Sequence, residues 1–561
     1  MPPDLTIRAL IDKILPYLTY SSEYPLLFTQ LYFWIFLGIV LIGYSFLDKT
    51  TTSRNAYLFA VSLFFYYKTS GFYLFILLFS TVTDYFIGKR IYAAEIDWKK
   101  KSWLALSIIV NLSTLVYFKY AYFFADFFTQ VTGIEVQVYN YFSFQFNNLV
   151  GTNFVWEKIL LPVGISFFTF QTMSYAIDIY RGHVKPVKNI LDFGFYVSFF
   201  PQLVAGPIVR AADFVPQIYK KYELTREQFG IGLFWILNGL LKKLFLADYI
   251  AVNFIDRIFS NPGSYTGFEN MMALFGYTLQ VYADFSGYTD IAIGVSLWMG
   301  FHLAVNFNSP YKATDVGEFW KRWHISLSTW LKDYLYIPMG GNRSGSLFSN
   351  IMIGVVVAFV SLMAASWWVP ISFVVLAVLF FLIGKVLPAF RTWVSTNVNL
   401  MLTMLIGGLW HGASWNFVMW GGLNGLGLVV YKLWKKISPW ENRSKWYNRA
   451  IGIFITLVFI TFTRAWFRGE TWDSTILMLR QIAFNFQGHL MPDILAGYSS
   501  VFLVMLGGFI IHWLPVSTKE WYRGWFVRAS IVTKLLISLL AILFMYQVLS
   551  ADMQPFIYFA F

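Results

Sequence analysis

The sequence predicts an all-α polytopic membrane protein, and three observations carry that prediction. Hydrophobic residues fill 58% of the 561 positions, charged residues only 13%, and aromatic residues alone 21%; soluble domains hold about 45–50% apolar residues even with glycine counted. The apolar residues run on in long continuous stretches, whereas a transmembrane β-barrel would alternate them in short segments. Lysine and arginine gather between these stretches, as they do in cytoplasmic loops. Lipid offers no partner to a peptide group, so such stretches must satisfy their own backbone as helices. A soluble enzyme, a disordered chain and a fibrous protein are excluded. The sequence contains no cysteine, which removes disulfides, thiolate metal ligands, a cysteine nucleophile and S-palmitoylation. The net charge of +13 is read as loop charge facing the cytoplasm, with no nucleic-acid partner.

In chain order, no signal peptide is visible. Residues 1–26 place Leu5, Ile7, Leu10, Ile11, Ile14, Leu15 and Leu18 on one helical face beside Asp4, Arg8, Asp12 and Lys13, an amphipathic pattern suited to the membrane interface. Residues 27–561 read as a single transmembrane domain. Its first spans are expected at about 28–47, 55–68, 70–88, 103–124 and 158–180. The loop 89–102, with Lys89, Arg90, Lys99, Lys100 and Lys101, should be cytoplasmic, and the stretch 121–156, free of lysine and arginine, should lie outside. The stretch 190–208 ends at Gly206 and Pro207 between two cytoplasmic flanks, so it is expected to re-enter without crossing. Spans at about 228–254 and 268–300 follow, then a polar stretch at 311–343. Two stretches, 350–369 and 371–389, divide at Pro370; 397–411 and 414–431 precede a strongly basic loop; 450–466, 498–514 and 535–550 complete the chain. The reading gives about fourteen crossings with both termini outside. No internal repeat is evident.

Polar residues set among apolar ones single out the chemistry. Of six histidines, His183 and His489 fall in loops, His302 follows a span end, and His512 near a span end suggests a structural role. His411 stands in an apolar run between Gly407 and Asn416, with no charge from Val398 to Tyr431. A buried imidazole needs partners or a cavity, and it is the side chain best suited to take a proton from a hydroxyl near neutral pH. His324 lies in a segment where helical spacing would put Trp320, His324 and Ser328 on one face and let Glu318 meet Lys321 and Arg322; an interfacial helix anchored by tryptophan and lysine is an equal reading. Asp284 and Asp290 sit within one span, six residues apart, so two separately paired structural acids compete with a catalytic couple. Asp178 and Arg181 are expected to pair at a span end. No phosphate loop, metal-spaced cluster or Ser-His-Asp nucleophile stands out, and no metal is expected.

Seven blocks then bring a resemblance into view: 162–171 (PVGISFFTFQ), 200–208 (FPQLVAGPI), 284–288 (DFSGY), 306–311 (NFNSPY), 319–328 (FWKRWHISLS), 334–343 (YLYIPMGGNR) and 409–416 (LWHGASWN). In this order the sequence resembles the membrane-bound O-acyltransferase family, in its bacterial branch of alginate O-acetylase subunits and teichoic acid D-alanyl transferases. The resemblance implies a ring of transmembrane helices with re-entrant segments around a central tunnel. It implies His411 as the essential histidine and His324 as the second. Trp410, Asn416, Trp323, Ser328, Asp284, Ser286, Gln171 and Gln202 become candidates for the tunnel wall. The implied reaction moves an acetyl group from a cytoplasmic thioester donor, acetyl-CoA as substrate with no bound cofactor, to a polysaccharide acceptor or an acyltransferase partner outside the membrane. The implied setting is a bacterial cytoplasmic membrane. One departure from the family pattern is an apparent inserted helical hairpin at 347–392. Three alternatives stay open: D-alanyl transfer from a carrier-protein thioester, a proton-coupled transporter using His324, His411 and the buried acids, and a purely structural subunit.

Overall fold

The computed structural model describes residues 18–20, 26–47, 50–150, 155–438, 445–548 and 557. Every regular element among them is helical. The expected interfacial helix falls mostly at residues 1–17 and 21–25, outside the described residues.

One long helix organises the molecule. Gly267–Trp298 runs for 32 residues, about 48 Å, and is buried along almost all of its length. It starts with a reciprocal cap: the Glu269 N–H donates to Thr266 Oγ1 at 3.2 Å, and the Thr266 N–H donates to Glu269 Oε2 at 2.9 Å. Arg226–Leu240 packs against it most closely at two glycine pairs. A methyl at Gly239 would stand 2.5 Å from the Gly287 carbonyl oxygen, and one at Gly294 would stand 2.5 Å from that of Gly232. The pairs are seven residues apart on each helix, the repeat that brings the same seam back to its partner.

Ion pairs fix the same contact. The chain leaves Arg226–Leu240 through a π-helical stretch, Leu241–Asp248, whose wider turn directs two consecutive lysines at the long helix. Lys242 Nζ meets Asp290 Oδ2 at 2.7 Å. Lys243 Nζ lies between Asp284 at 2.6 Å and Asp248 at 2.8 Å. Asp290 also accepts from Asn238 at 2.6 Å. Asp284 and Asp290 of this helix are therefore held by separate lysines, the arrangement that buried charge requires.

Several expected boundaries are corrected. The spans expected at 55–68 and 70–88 form one continuous rod, Thr51–Ala93, of 43 residues; the tight turn at Gly71–Tyr73 carries the axis on instead of reversing it. Among the described residues five helices are long and apolar enough to cross a membrane, or up to seven if two sharply bent pairs each count as a span. The continuous rod removes one of the roughly fourteen expected crossings and, with it, the side of the N-terminus counted through that pair. Helices such as Gly267–Trp298 face protein all round and carry polar residues inward, so hydropathy does not distinguish crossing from burial for them. The 190–208 segment is a broken helix, Ile190–Ser198 then Phe200–Leu203, with its interior buried and each piece too short to cross.

Leu347–Met363 and Trp368–Val386 form the hairpin expected near 347–392. Its turn lies at 364–367, where Ala365 takes a left-handed φ of 44°, and not at Pro370. That proline sits in the first turn of the second helix, where its missing N–H has no bond to break. Asp178 and Arg181 do not pair as expected. Asp178 accepts from the Tyr334 hydroxyl at 2.7 Å, and Arg181 donates to the Asp333 carbonyl at 3.1 Å.

Candidate active site

Two segments far apart in sequence bring His324 and His411 together. The helix Pro388–His411 ends on the histidine itself because Gly412 turns extended. The glycine is required by contact: a methyl there would come within 2.0 Å of the Phe417 ring. The helix can press on its successor Trp415–Ile437 because Gly408 and Gly421 face each other, with a methyl at either within 3.1 Å of the other's Cα.

His324 is presented differently. The stretch 316–331 is not one helix. Val316–Arg322 stops, and Ile325–Leu331 starts afresh from His324, which holds φ 43° and ψ 55°. A left-handed histidine costs about 1–2 kcal/mol, and such strain concentrates at functional positions. The expected shared face of Trp320, His324 and Ser328 is thereby broken. The expected Glu318–Arg322 contact is present at 2.8 Å.

The two imidazoles are buried, with ring centroids 6.4 Å apart. Around His411 stand Trp410 at 5.0 Å, Trp420 at 5.0 Å and Phe467 at 5.2 Å. Around His324 stand Phe285 of the long helix at 4.6 Å and Trp410 at 6.2 Å. His324 Nδ1 lies 3.3 Å from Asn306 Oδ1, which also accepts from the Ser326 N–H and hydroxyl, each at 3.0 Å. An oxygen accepts only, so Nδ1 carries the hydrogen and Nε2 the lone pair. The Ser326 hydroxyl in turn accepts from the Ile208 N–H at 3.0 Å, tying the broken 190–208 segment to the histidine.

An aromatic column links the two histidine-bearing segments. Trp330, in the helix that His324 starts, stacks on Phe170 at 3.7 Å and 2°. Phe170 stacks on Trp410 at 5.3 Å and 21°. The Trp330 indole N–H donates to the Phe170 carbonyl at 3.1 Å.

Two cations here were not singled out in the sequence. Lys119, half-buried in the π-helical turn Val116–Tyr120, donates to the carbonyls of Trp410 at 2.7 Å and His411 at 3.1 Å and to Ser166 Oγ at 3.3 Å. It caps the C-terminus of the histidine helix, where orphan carbonyls gather negative charge. Arg464, 1% exposed, lies over Trp323 at 4.4 Å and Phe467 at 5.2 Å. Both stood in the sequence as basic residues inside apolar runs, which is the signal for function in a membrane protein.

The remaining candidates divide. Trp410 and Trp323 belong to the aromatic surround. Asn416 donates to the Gly469 carbonyl at 2.8 Å, Asp284 is bound to Lys243, and Ser328 Oγ donates to the Trp323 carbonyl at 3.2 Å. Gln202 Nε2 donates to the Tyr196 carbonyl at 2.9 Å. Gln171 is buried in the helix that carries Phe170, and Ser286 in the long helix beside Phe285.

Comparison with known proteins follows the same lines. Residues 98–391 match the model of the membrane-bound O-acyltransferase family. The chain is 39% identical over 360 residues to the "Probable alginate O-acetylase AlgI" of Pseudomonas aeruginosa, covering 64% of this chain and 57% of that protein. It is 32% identical over 481 residues to the "Peptidoglycan O-acetyltransferase" of Helicobacter pylori, covering 81% of this chain and 78% of that protein. It is 25% identical over 321 residues to the "Teichoic acid D-alanyltransferase" of Bacillus subtilis, covering 56% of this chain and 70% of that protein. The alginate O-acetylase matches thus span less than two thirds of those relatives' length.

Proposed function

Because this chain belongs to the membrane-bound O-acyltransferase family, we propose that it is an O-acetyltransferase for an exported or cell-envelope polysaccharide. It takes the acetyl group from a cytoplasmic thioester, acetyl-CoA, and delivers it to a hydroxyl or to an acyltransferase partner beyond the bacterial cytoplasmic membrane. The observation that carries this reading is the facing pair of buried histidines, 6.4 Å apart, at the meeting of two distant segments. An acetylated acceptor is favoured over a D-alanylated one because identity reaches 39% with the alginate O-acetylase relative and 25% with the D-alanyltransferase relative.

The chemistry follows from acid–base roles. His411 accepts the proton of the acceptor hydroxyl as its oxygen adds to the thioester carbonyl carbon. The tetrahedral adduct collapses, the carbon–sulfur bond breaks, and the imidazolium returns its proton to the departing thiolate. His324, fixed through Nδ1 on Asn306, offers Nε2 toward the same centre as a second polar contact for the acceptor. A thioester on one side and a glycan on the other need never cross if one buried base is reached from both faces.

The test uses purified protein in lipid nanodiscs, given radiolabelled acetyl-CoA or D-alanyl carrier protein in separate reactions, with an acceptor hydroxyl supplied. Acetyl-CoA consumption by the native chain, abolished in His411→Ala, is the expected result. Turnover with the carrier alone moves the reading to D-alanylation. Equal turnover by native and variant proteins removes His411 from the mechanism.

A further inference from the structure

Arg464 is the one charged group at this site whose place the acid–base chemistry leaves unexplained. Its helix, Trp446–Arg468, buries it to 1% exposure. Nε and both Nη atoms are buried without a hydrogen-bond partner among the described residues. The guanidinium is surrounded by rings instead: Trp323 at 4.4 Å, Phe467 at 5.2 Å and Trp420 at 6.0 Å. The nearby Tyr311 hydroxyl gives its hydrogen to the Thr278 carbonyl at 2.5 Å and turns its oxygen, a neutral acceptor that brings no counter-charge, toward the guanidinium. An arginine cannot shed its charge, and a buried cation without a counter-ion is among the costliest features a fold can carry. The fully buried Lys243 and the half-buried Lys119 both have oxygen ligands. Lys243 has two carboxylates and Lys119 two carbonyls and a hydroxyl.

The rings around the guanidinium tie it to the base. Phe467 and Trp420, the rings that flank the guanidinium, also flank His411, at 5.2 Å and 5.0 Å. Base and cation therefore share two ring neighbours, and the guanidinium brings five N–H donors in a fixed fork to that cluster. We infer that Arg464 is the oxyanion receptor of the acyl-transfer site, donating to the carbonyl oxygen of the thioester. When the acceptor oxygen adds to the carbonyl carbon, the π pair moves onto that oxygen and its charge falls beside Arg464. When the carbon–sulfur bond breaks, the pair returns, and the arginine is unchanged. A preorganised donor in a dry site stabilises the transition state more than the ground state. This inference rests on the acyl-transfer reading above.

The test compares native protein with Arg464→Met, Arg464→Lys and Arg464→Ala in nanodiscs. The readouts are acetyl-CoA consumption, consumption of acetyl-pantetheine (which lacks the nucleotide phosphates), and Tm without substrate. For Arg464→Met the expected result is kcat lower by about 100- to 1000-fold with KM little changed, equally for both donors, and a Tm equal to or above the native value. Arg464→Lys should recover part of the rate, and added guanidinium should recover part of the rate of Arg464→Ala. A normal kcat in Arg464→Met overturns the inference while leaving acyl transfer intact. A defect present with acetyl-CoA and absent with acetyl-pantetheine assigns the arginine to phosphate and overturns it too. A Tm that collapses with activity makes Arg464 a packing residue. Native protein that consumes neither donor refutes the acyl-transfer reading itself, and the inference with it.

Discussion

Replacing Lys119 with methionine tests whether the end of the histidine helix is held by charge. The ammonium donates to the Trp410 and His411 carbonyls at 2.7 and 3.1 Å, and both residues are buried at the helix end. A buried carbonyl stripped of its donor costs about 1–3 kcal/mol, so two cost roughly 2–6 kcal/mol. Relief from burying an ammonium offsets part of this, since apolar replacement of buried charge returns about 1–4 kcal/mol. The net loss expected for Lys119→Met is about 1–3 kcal/mol, read as a lower Tm in nanodiscs. The effect on rate should be larger than on folding. A helix end freed of its cap shifts the imidazole, and a displacement of about 1 Å can cost on the order of 100-fold in rate. Acetyl-CoA consumption should therefore fall by about 10- to 100-fold while protein remains folded and monodisperse. A variant with kcat within twofold of native and an unchanged Tm would show that neither the position of His411 nor the helix end depends on this lysine.

Three further outcomes follow from the geometry. Asn306→Ala removes the acceptor that fixes the His324 tautomer and leaves the Ser326 N–H without that bond; turnover should drop at least tenfold, while Asn306→Gln, too long to keep both bonds, should not rescue it. Gly412→Ala drives a methyl into the Phe417 ring at 2.0 Å, so Tm should fall as for overpacking by about 1–3 kcal/mol, and Phe417→Leu in the same chain should restore most of it. Glu318 gives a pH test. Burial alone would raise its carboxyl, but hydrogen bonds from Thr314 and the Arg322 guanidinium outweigh burial and hold it below the usual 4.5. A folded value below the unfolded one means the contribution is complete above about pH 5 and is lost as pH falls through the folded value. Tm should therefore decline on acidification below about pH 5 in native protein and decline less in Glu318→Gln; parallel curves would remove Glu318 from the acid limb.

Much of the site was legible because its residues break the local rule of an apolar sequence. His411 stands alone among apolar neighbours, and His324 sits in the polar stretch that interrupts the spans. Gly206 and Pro207 marked the end of the 190–208 segment, whereas its break falls earlier, at Phe199 just ahead of Pro201. Lys119 and Arg464 were equally anomalous within their apolar runs, but a lone basic residue there also reads as a snorkelling membrane anchor. What separates anchor from ligand is the partner, and the partners are 291 residues away for Lys119 and Trp410. The crossing count failed for a related reason. Gly71 looks like a reversal in sequence, but only the path of the chain after it decides whether Thr51–Ala93 is one rod or two.

The column of Trp330, Phe170 and Trp410 has a mechanical meaning. Each ring belongs to a different segment, and the outer two lie within six residues of one histidine or the other. Flat rings in van der Waals contact resist compression far more than they resist tilting, so the stack works as a strut of fixed length between the two imidazoles. The two histidine-bearing segments are then tied into one packed unit. Shortening Trp330 to leucine should loosen the pair without touching either histidine.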